Sequence, residues 1–190
     1  AETRWPAAVE YIQRQKLNEI FGPPDGAVGI VLQGGMYNGV IRALQRLGLA
    51  DAFGESRVPL YVLNVTYPLI DSEFLAFAKD KRALLVVEEG QPNHIEQALG
   101  AMLHTARSDT VLAGKGPFPV AGEYSGGVML AALRRFLADH GAGLLSDRDR
   151  APNEPASAAY EQILADNVPA RPAGFCVGCP ERPIFAAMKL

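Results

Sequence analysis

The sequence predicts an α/β fold, an open and mostly parallel sheet of about four to five strands flanked by helices, followed by a proline-rich tail. The first sign is a set of short, evenly apolar runs, such as Ala27-Val28-Gly29-Ile30-Val31-Leu32, that suit strands buried on both faces. The second is that these runs alternate four times with segments of helical periodicity between residues 27 and 140, because parallel neighbours can be joined only by crossovers that cover the sheet. The third is a change of composition after residue 140: six of the 14 prolines fall in the last stretch of the 190-residue chain.

Taken in order, Val9, Tyr11 or Ile12, Leu17 and Ile20 follow a roughly helical spacing after Pro6, so residues 1–22 read as a lead-in helix closed by Phe21-Gly22-Pro23-Pro24. The first buried strand follows the Pro24-Asp25-Gly26 turn. Val40, Ile41, Leu44 and Leu47 then make an apolar stripe that ends at Gly48. Strand Leu60 to Val65 leads to a helix from about Asp71 with Phe74, Leu75 and Phe77. Strand Ala83 to Val87 leads to a helix near Asn93, where Asn93-His94-Ile95-Glu96 has the spacing of a capping box. Thr110 to Ala113 is the fourth strand, and a last helix runs from about Ser125 to His140 with Met129, Leu133, Phe136 and Leu137 inward. Val31, Val62 and Val86 are expected in the core of the middle strands. The domain is expected over 1–140, a linker with one short amphipathic stretch at Tyr160, Ile163 and Leu164 over 141–174, and the opening of a further, truncated domain over 175–190.

Charge excludes one class of partner. With 18 basic and 21 acidic residues and a net charge of −3, no basic cluster faces a phosphate backbone, so no nucleic acid is expected. Lys79 to Arg82 and Arg134-Arg135 are the locally basic stretches, and both read as solvated helix surface. There is no signal peptide and no apolar run of about 18 residues, which predicts no membrane and a cytoplasmic location.

Ligands of an open parallel sheet gather at the carboxyl ends of its strands, so those loops are the candidates for chemistry. After the first strand, Gly34 and Gly35 precede a helix N-terminus that could take an anion, although neither G-x-G-x-x-G nor G-x-x-x-x-G-K-[ST] spacing is present and a plain tight turn explains the pair better. After the second strand, Thr66 and Tyr67 bring polar side chains to an X-Pro corner. After the third, Glu88 and Glu89 are adjacent carboxylates. Neighbours on a strand point to opposite faces, so they do not make an acid–base pair by spacing; helix-end electrostatics or interface hydrogen bonding suits them better. His94, His104 and His140 fall in no ligand pattern, and no catalytic motif complete in itself is present. Cys176 and Cys179 are the only cysteines, three apart, and could be half of a metal or iron–sulfur site, an inert pair, or a redox dithiol.

The succession Val65-Thr66-Tyr67-Pro68-Leu69, Leu85-Val86-Val87-Glu88-Glu89, Ile95-Glu96-Gln97, Phe118 to Ser125 and Phe175-Cys176-Val177-Gly178-Cys179-Pro180 resembles indolepyruvate ferredoxin oxidoreductase, in its long single-chain form. The resemblance implies a transketolase C-terminal-like domain followed by the start of a thiamine-diphosphate domain, excised from a longer parent. The parent would be a homodimer that oxidatively decarboxylates aryl 2-oxo acids to acyl-coenzyme A with thiamine diphosphate, magnesium and iron–sulfur clusters, passing electrons to ferredoxin. Cys176 and Cys179 would ligate iron only there. The fragment itself has no Gly-Asp pair of the kind that turns around a magnesium diphosphate, so it is expected to hold no cofactor and to act as a noncatalytic scaffold or contact with other domains of the parent. Two readings stand beside this one. One is a free-standing α/β domain that binds a small anion or nucleotide at Gly34-Gly35; the other is a thiol redox module built on the C-x-x-C pair.

Overall fold

The computed structural model describes residues 2–150 and 182–188, and the chain divides into two compact units, Ala1–Ala151 and Pro152–Leu190. The first holds a five-stranded sheet. Its elements are α1 (Arg4–Arg14), β1 (Glu19–Phe21), β2 (Val28–Gln33), α2 (Tyr37–Arg46), β3 (Leu60–Leu63), α3 (Asp71–Ala78), β4 (Ala83–Val87), α4 (His94–Thr105), β5 (Val111–Ala113), α5 (Gly126–His140) and the short α6 (Asp147–Arg150). Of the second unit only a helix over Arg182–Ala187 is described, and the expectations for residues 151–181, Cys176 and Cys179 among them, lie outside the described residues. Among the described residues no helix is long and apolar enough to cross a membrane.

The strand order is β1-β3-β2-β4-β5, with β2, β3, β4 and β5 parallel and β1 antiparallel on the edge of β3. The α/β sheet expected from the sequence is therefore present, and its pleat sorts the core into two layers. Val28, Ile30, Leu32, Leu60, Val62, Ala83, Leu85 and Val87 face α2 and α5, while Val31, Tyr61, Leu63, Leu84 and Val86 face α3 and α4. Val31, Val62 and Val86 are buried as expected. The two-sided arrangement follows from crossover handedness: the connection from β2 to β3 runs one way along the sheet and that from β3 to β4 runs back past β2, so right-handed crossovers put α2 and α3 on opposite faces. This reversal makes β2 the switch point of the sheet, where a crevice opens at the carboxyl ends.

Three details differ from the sequence reading. The lead-in helix stops at Arg14, and Lys16 turns the chain at φ 49°, so residues 19–21 form a strand instead of a final helical turn. Pairing Glu19–Phe21 with β3 supplies ladder partners to an edge that a helix would leave bare; Ile20 then points out, 56% exposed, rather than inward. Past His140 the chain keeps packing on the domain, since Leu145 is buried with the α5 core, and the first compact unit runs on to Ala151. At α4, Asn93 makes no side-chain cap to the backbone and instead bonds the side chains of Glu96 and Gln97, because a different group takes the helix N-terminus.

Candidate functional site

That group is Glu88. It leaves the end of β4 buried, and its two carboxylate oxygens accept from the backbone N–H groups of Ile95 and Glu96 at 2.9 and 3.0 Å. A charged acceptor on two of the four orphan N–H groups at a helix start satisfies them and meets the positive end of the dipole together. Glu89, one residue on, turns to the other face: its oxygen accepts from the Tyr124 N–H at 2.6 Å, while its own N–H donates to Gln33 Oε1 at 3.0 Å. Lys115 ties the same corner together, donating from Nζ to the carbonyls of Glu88 and Gly90 at 2.6 and 2.8 Å and to Tyr124 Oη at 2.8 Å. Sequence spacing gave no signal for Lys115, which comes from a loop after β5 and meets Glu88 across 27 residues.

Around this corner lies a cleft of about 670 Å³, at the carboxyl ends of β2, β3 and β4. Gln33, Thr66, Tyr67 and Glu88 contribute from the strand ends, Asp71 from the start of α3, and His94, Ile95, Ala98 and Met102 from α4. Trp5 from α1 reaches the rim and meets Tyr67 edge-on, ring centroids 5.2 Å apart, next to the cis Tyr67-Pro68 peptide. The cleft thus gathers Thr66, Tyr67 and Glu88, with Glu89 directed to the other face.

Gly34 and Gly35 do not line the cleft. They form a 3-10 turn into α2, and a Cβ on Gly34 would stand 2.5 Å from Asn64 Oδ1. Asn64 is itself fixed, its Nδ2 donating to the Leu17 carbonyl and to Glu19 at 2.9 and 2.8 Å. Glycine at 34 is therefore accounted for by this close approach. Of the histidines, His94 lines the cleft and is exposed, His104 is exposed on the far turn of α4, and His140 closes α5 against Phe136. Among the described residues no group of three or more His, Cys, Asp or Glu side chains could hold a metal ion.

A second polar cluster sits where β3 meets α3. Tyr61 Oη donates to Glu73 Oε2 at 2.9 Å, and Asn18 Nδ2 reaches the same oxygen at 3.1 Å while Asn18 Oδ1 accepts from the Val65 N–H. Burial, and then the Glu73 carboxylate, push the Tyr61 hydroxyl well above its ordinary range, so it remains a proton donor. On the same face, across the Phe77 ring that packs against Tyr61, burial lowers the Lys81 ammonium, which donates to the Pro24 carbonyl at 3.2 Å.

The donor set of the cleft does not suit a thiamine diphosphate. A diphosphate on magnesium needs free backbone N–H groups or cations, yet the amides at the α4 N-terminus already hold Glu88, and Asp71 and Glu88 set two carboxylates against His94. What the cleft presents is an apolar, aromatic-rimmed surface in which Glu88 is turned into the fold while Thr66, Asp71 and His94 stay exposed.

No family model matches the chain. Among curated proteins, it is 29% identical over 177 residues, 92% of its length, to the indolepyruvate oxidoreductase subunit IorA of Methanothermobacter thermautotrophicus, covering 25% of that protein. It is likewise 29% identical over 164 residues, 85% of its length, to the indolepyruvate oxidoreductase subunit IorA of Methanothermobacter marburgensis, covering 22% of it. The chain spans about a quarter of the length of these relatives. Over most of its length, then, this chain is similar to a segment of the indolepyruvate oxidoreductase subunit IorA, in keeping with the resemblance carried by its own motifs.

Proposed function

We propose that this chain is a noncatalytic scaffold and interface segment of a thiamine-dependent indolepyruvate, or aryl 2-oxo acid, ferredoxin oxidoreductase. The observation that carries the reading is the similarity along 92% of the chain to one quarter of an IorA subunit. The parent would convert 2-oxo acids to acyl-coenzyme A, drawing thiamine diphosphate, magnesium and iron–sulfur clusters from its other domains and delivering electrons to ferredoxin. It would work as a cytoplasmic homodimer. The segment would end where a thiamine-diphosphate domain opens, and Cys176 and Cys179 would supply iron ligands only in that larger assembly.

The chemistry at the carboxyl ends of the strands supports a structural role. Glu88 and Glu89, the side chains best placed to act as acid or base, spend their oxygens on Ile95, Glu96 and Tyr124 backbone N–H groups. A base engaged in this way would have to abandon a helix terminus to take a proton. The edge-on pair of Trp5 and Tyr67, 46% and 78% exposed, suits a contact surface within a larger chain.

Calorimetry of the 190-residue chain with thiamine diphosphate and magnesium tests the reading. No saturable heat is expected, and micromolar binding would refute it. Anaerobic iron and sulfide analysis forms the second arm: cluster in stoichiometric amounts would show that Cys176 and Cys179 complete a site without the rest of the parent.

A further inference from the structure

The opposite end of the sheet carries a small pocket of different chemistry. It has a volume of about 310 Å³ and is bounded by the Asp25-Gly26-Ala27-Val28 turn, by Arg57 and Pro59 before β3, by Arg82 before β4, and by His140 to Leu144 after α5. Arg57 and Arg82 flank the start of β2. Arg82 is adjacent to Ala83, which pairs with Val28, while Pro59 immediately precedes Leu60, which pairs with Ile30. Two strand separations, roughly 10 Å, lie between those flanking strands, a gap that two long guanidinium side chains can close over the strand between them.

The pocket floor is tightly built. A Cβ on Gly26 would stand 2.5 Å from Pro59, and one on Gly141 would stand 3.1 Å from Leu137 and 3.4 Å from Val28. The cations above it are largely uncommitted. The Arg57 side chain has no hydrogen-bond or ion-pair partner among the described residues, while Arg82 uses one Nη on the His140 carbonyl and keeps its other donors. The His140 ring touches Phe136 and makes no hydrogen bond among the described residues. One carboxylate, Asp25, lies at the rim, next to the Lys81 ammonium that donates to the Pro24 carbonyl.

We propose that Arg57, Arg82 and His140 form an anion site for a phosphate group, either free phosphate or the end of a phosphate monoester. Guanidinium forks match a tetrahedral oxyanion two oxygens at a time, and two such forks from the entries to different strands, with His140 on the pocket wall, suit a dianion better than a single carboxylate. The volume admits a phosphate and a few further atoms. Asp25 opposes the ligand charge, so the site is weakened by one of its own residues, and this gives the proposal a signature that a generic basic surface lacks.

The test is a titration of the whole 190-residue chain at low salt with inorganic phosphate, glycerol phosphate and acetate at matched ionic strength, followed by amide chemical shifts and calorimetry. Saturable binding of phosphate or the monoester is expected, with shifts at Gly141 to Leu144, and the tighter of the two identifies the source. Arg57→Ala is expected to raise Kd about tenfold, the loss of one charge-assisted contact. Arg82→Lys, which keeps the charge and a donor for the His140 carbonyl, should raise it by a smaller factor, and Asp25→Asn should lower it about threefold. The proposal is overturned by no binding up to about 20 mM, beyond the millimolar range of a weak anion site. Acetate binding as tightly as phosphate, or a Kd unchanged in Arg57→Ala, would overturn it as well.

Discussion

The two ends of the sheet invert the usual relation between size and chemistry. At the carboxyl ends the cleft is wide and lies where an open α/β sheet normally binds its ligand, yet Glu88, Glu89, Gln33 and Lys115 are all engaged in hydrogen bonds that hold the corner together. At the amino ends the pocket is less than half the volume, but Arg57 and most of the Arg82 fork are uncommitted. Position in a fold ranks where ligands gather on average; which polar groups remain unspent decides what a particular site can hold. The comparison predicts that substitution of the engaged side chains at the wide cleft costs stability and that substitution of the uncommitted Arg57 at the small pocket does not.

The largest effect is expected at Glu88. Glu88→Ala strips the acceptors from two N–H groups at the start of α4 in a buried corner, which should cost about 2–4 kcal/mol by the loss of a charged cap and the exposure of unsatisfied donors. Urea unfolding reads this directly. A loss under about 0.5 kcal/mol, the scale of an ordinary surface change, would mean the carboxylate is not committed to the helix and would return it to the list of possible acids and bases.

Next comes Lys115. Its ammonium joins the carbonyls of Glu88 and Gly90 to the Tyr124 hydroxyl, and Lys115→Met keeps the stem while removing all three bonds. A cost of about 1–2 kcal/mol is expected, less than at Glu88 because Gly90 is solvent-exposed and water can replace part of what is lost. Denaturant midpoints of the single and double variants with Glu88→Ala should be sub-additive, since both act on the same corner.

The third effect depends on pH. The Tyr61 hydroxyl is raised by burial and by Glu73, so the folded state holds its proton at pH values where the unfolded chain gives it up. Unfolding then releases a proton above about pH 10, and stability that is full below that pH falls as pH rises through the alkaline range, by at most about 1.4 kcal/mol per pH unit for one group. Tyr61→Phe should remove this component: the difference between the two proteins, measured by urea midpoints from pH 8 to 11, is expected to narrow with rising pH. A constant difference would place Tyr61 outside the linkage.

These contrasts also show what the chain disclosed as a sequence. The sheet was legible because its central strands are buried on both faces and therefore read as unbroken apolar runs, as in Ala83-Leu84-Leu85-Val86-Val87. The edge was not. Glu19–Phe21 is three residues of mixed character whose strand identity comes from pairing with β3, a tertiary effect absent from local periodicity. Asn93 and Glu96 offered a local capping box, and the buried Glu88 outcompeted it from eight residues away with a full charge. The divergence of Glu88 and Glu89 to opposite faces follows from strand alternation and was readable; the convergence of Arg57 and Arg82 was not, because it depends on strand order, which no short-range pattern encodes.

The smallest effect is the one that tests the comparison most directly. Arg57 is exposed, and its side chain has no partner among the described residues, so its burial contributes little and its charge is paired with nothing whose loss would be felt on unfolding. Arg57→Ala should therefore leave the unfolding free energy within about 0.5 kcal/mol of the parent chain in phosphate-free buffer. With phosphate present the two proteins should part, because a ligand at free concentration c, bound only by the folded state, stabilises by RT ln(1 + c/Kd), and only the chain that keeps Arg57 has the site intact. Thermal unfolding with and without about 10 mM phosphate, roughly ten times a millimolar Kd, is sufficient to see a gain of about 1.4 kcal/mol in one and less in the other. If Arg57→Ala instead destabilises the chain without phosphate, that arginine is part of the scaffold after all, and the amino end of the sheet is spent on the fold as fully as the carboxyl end.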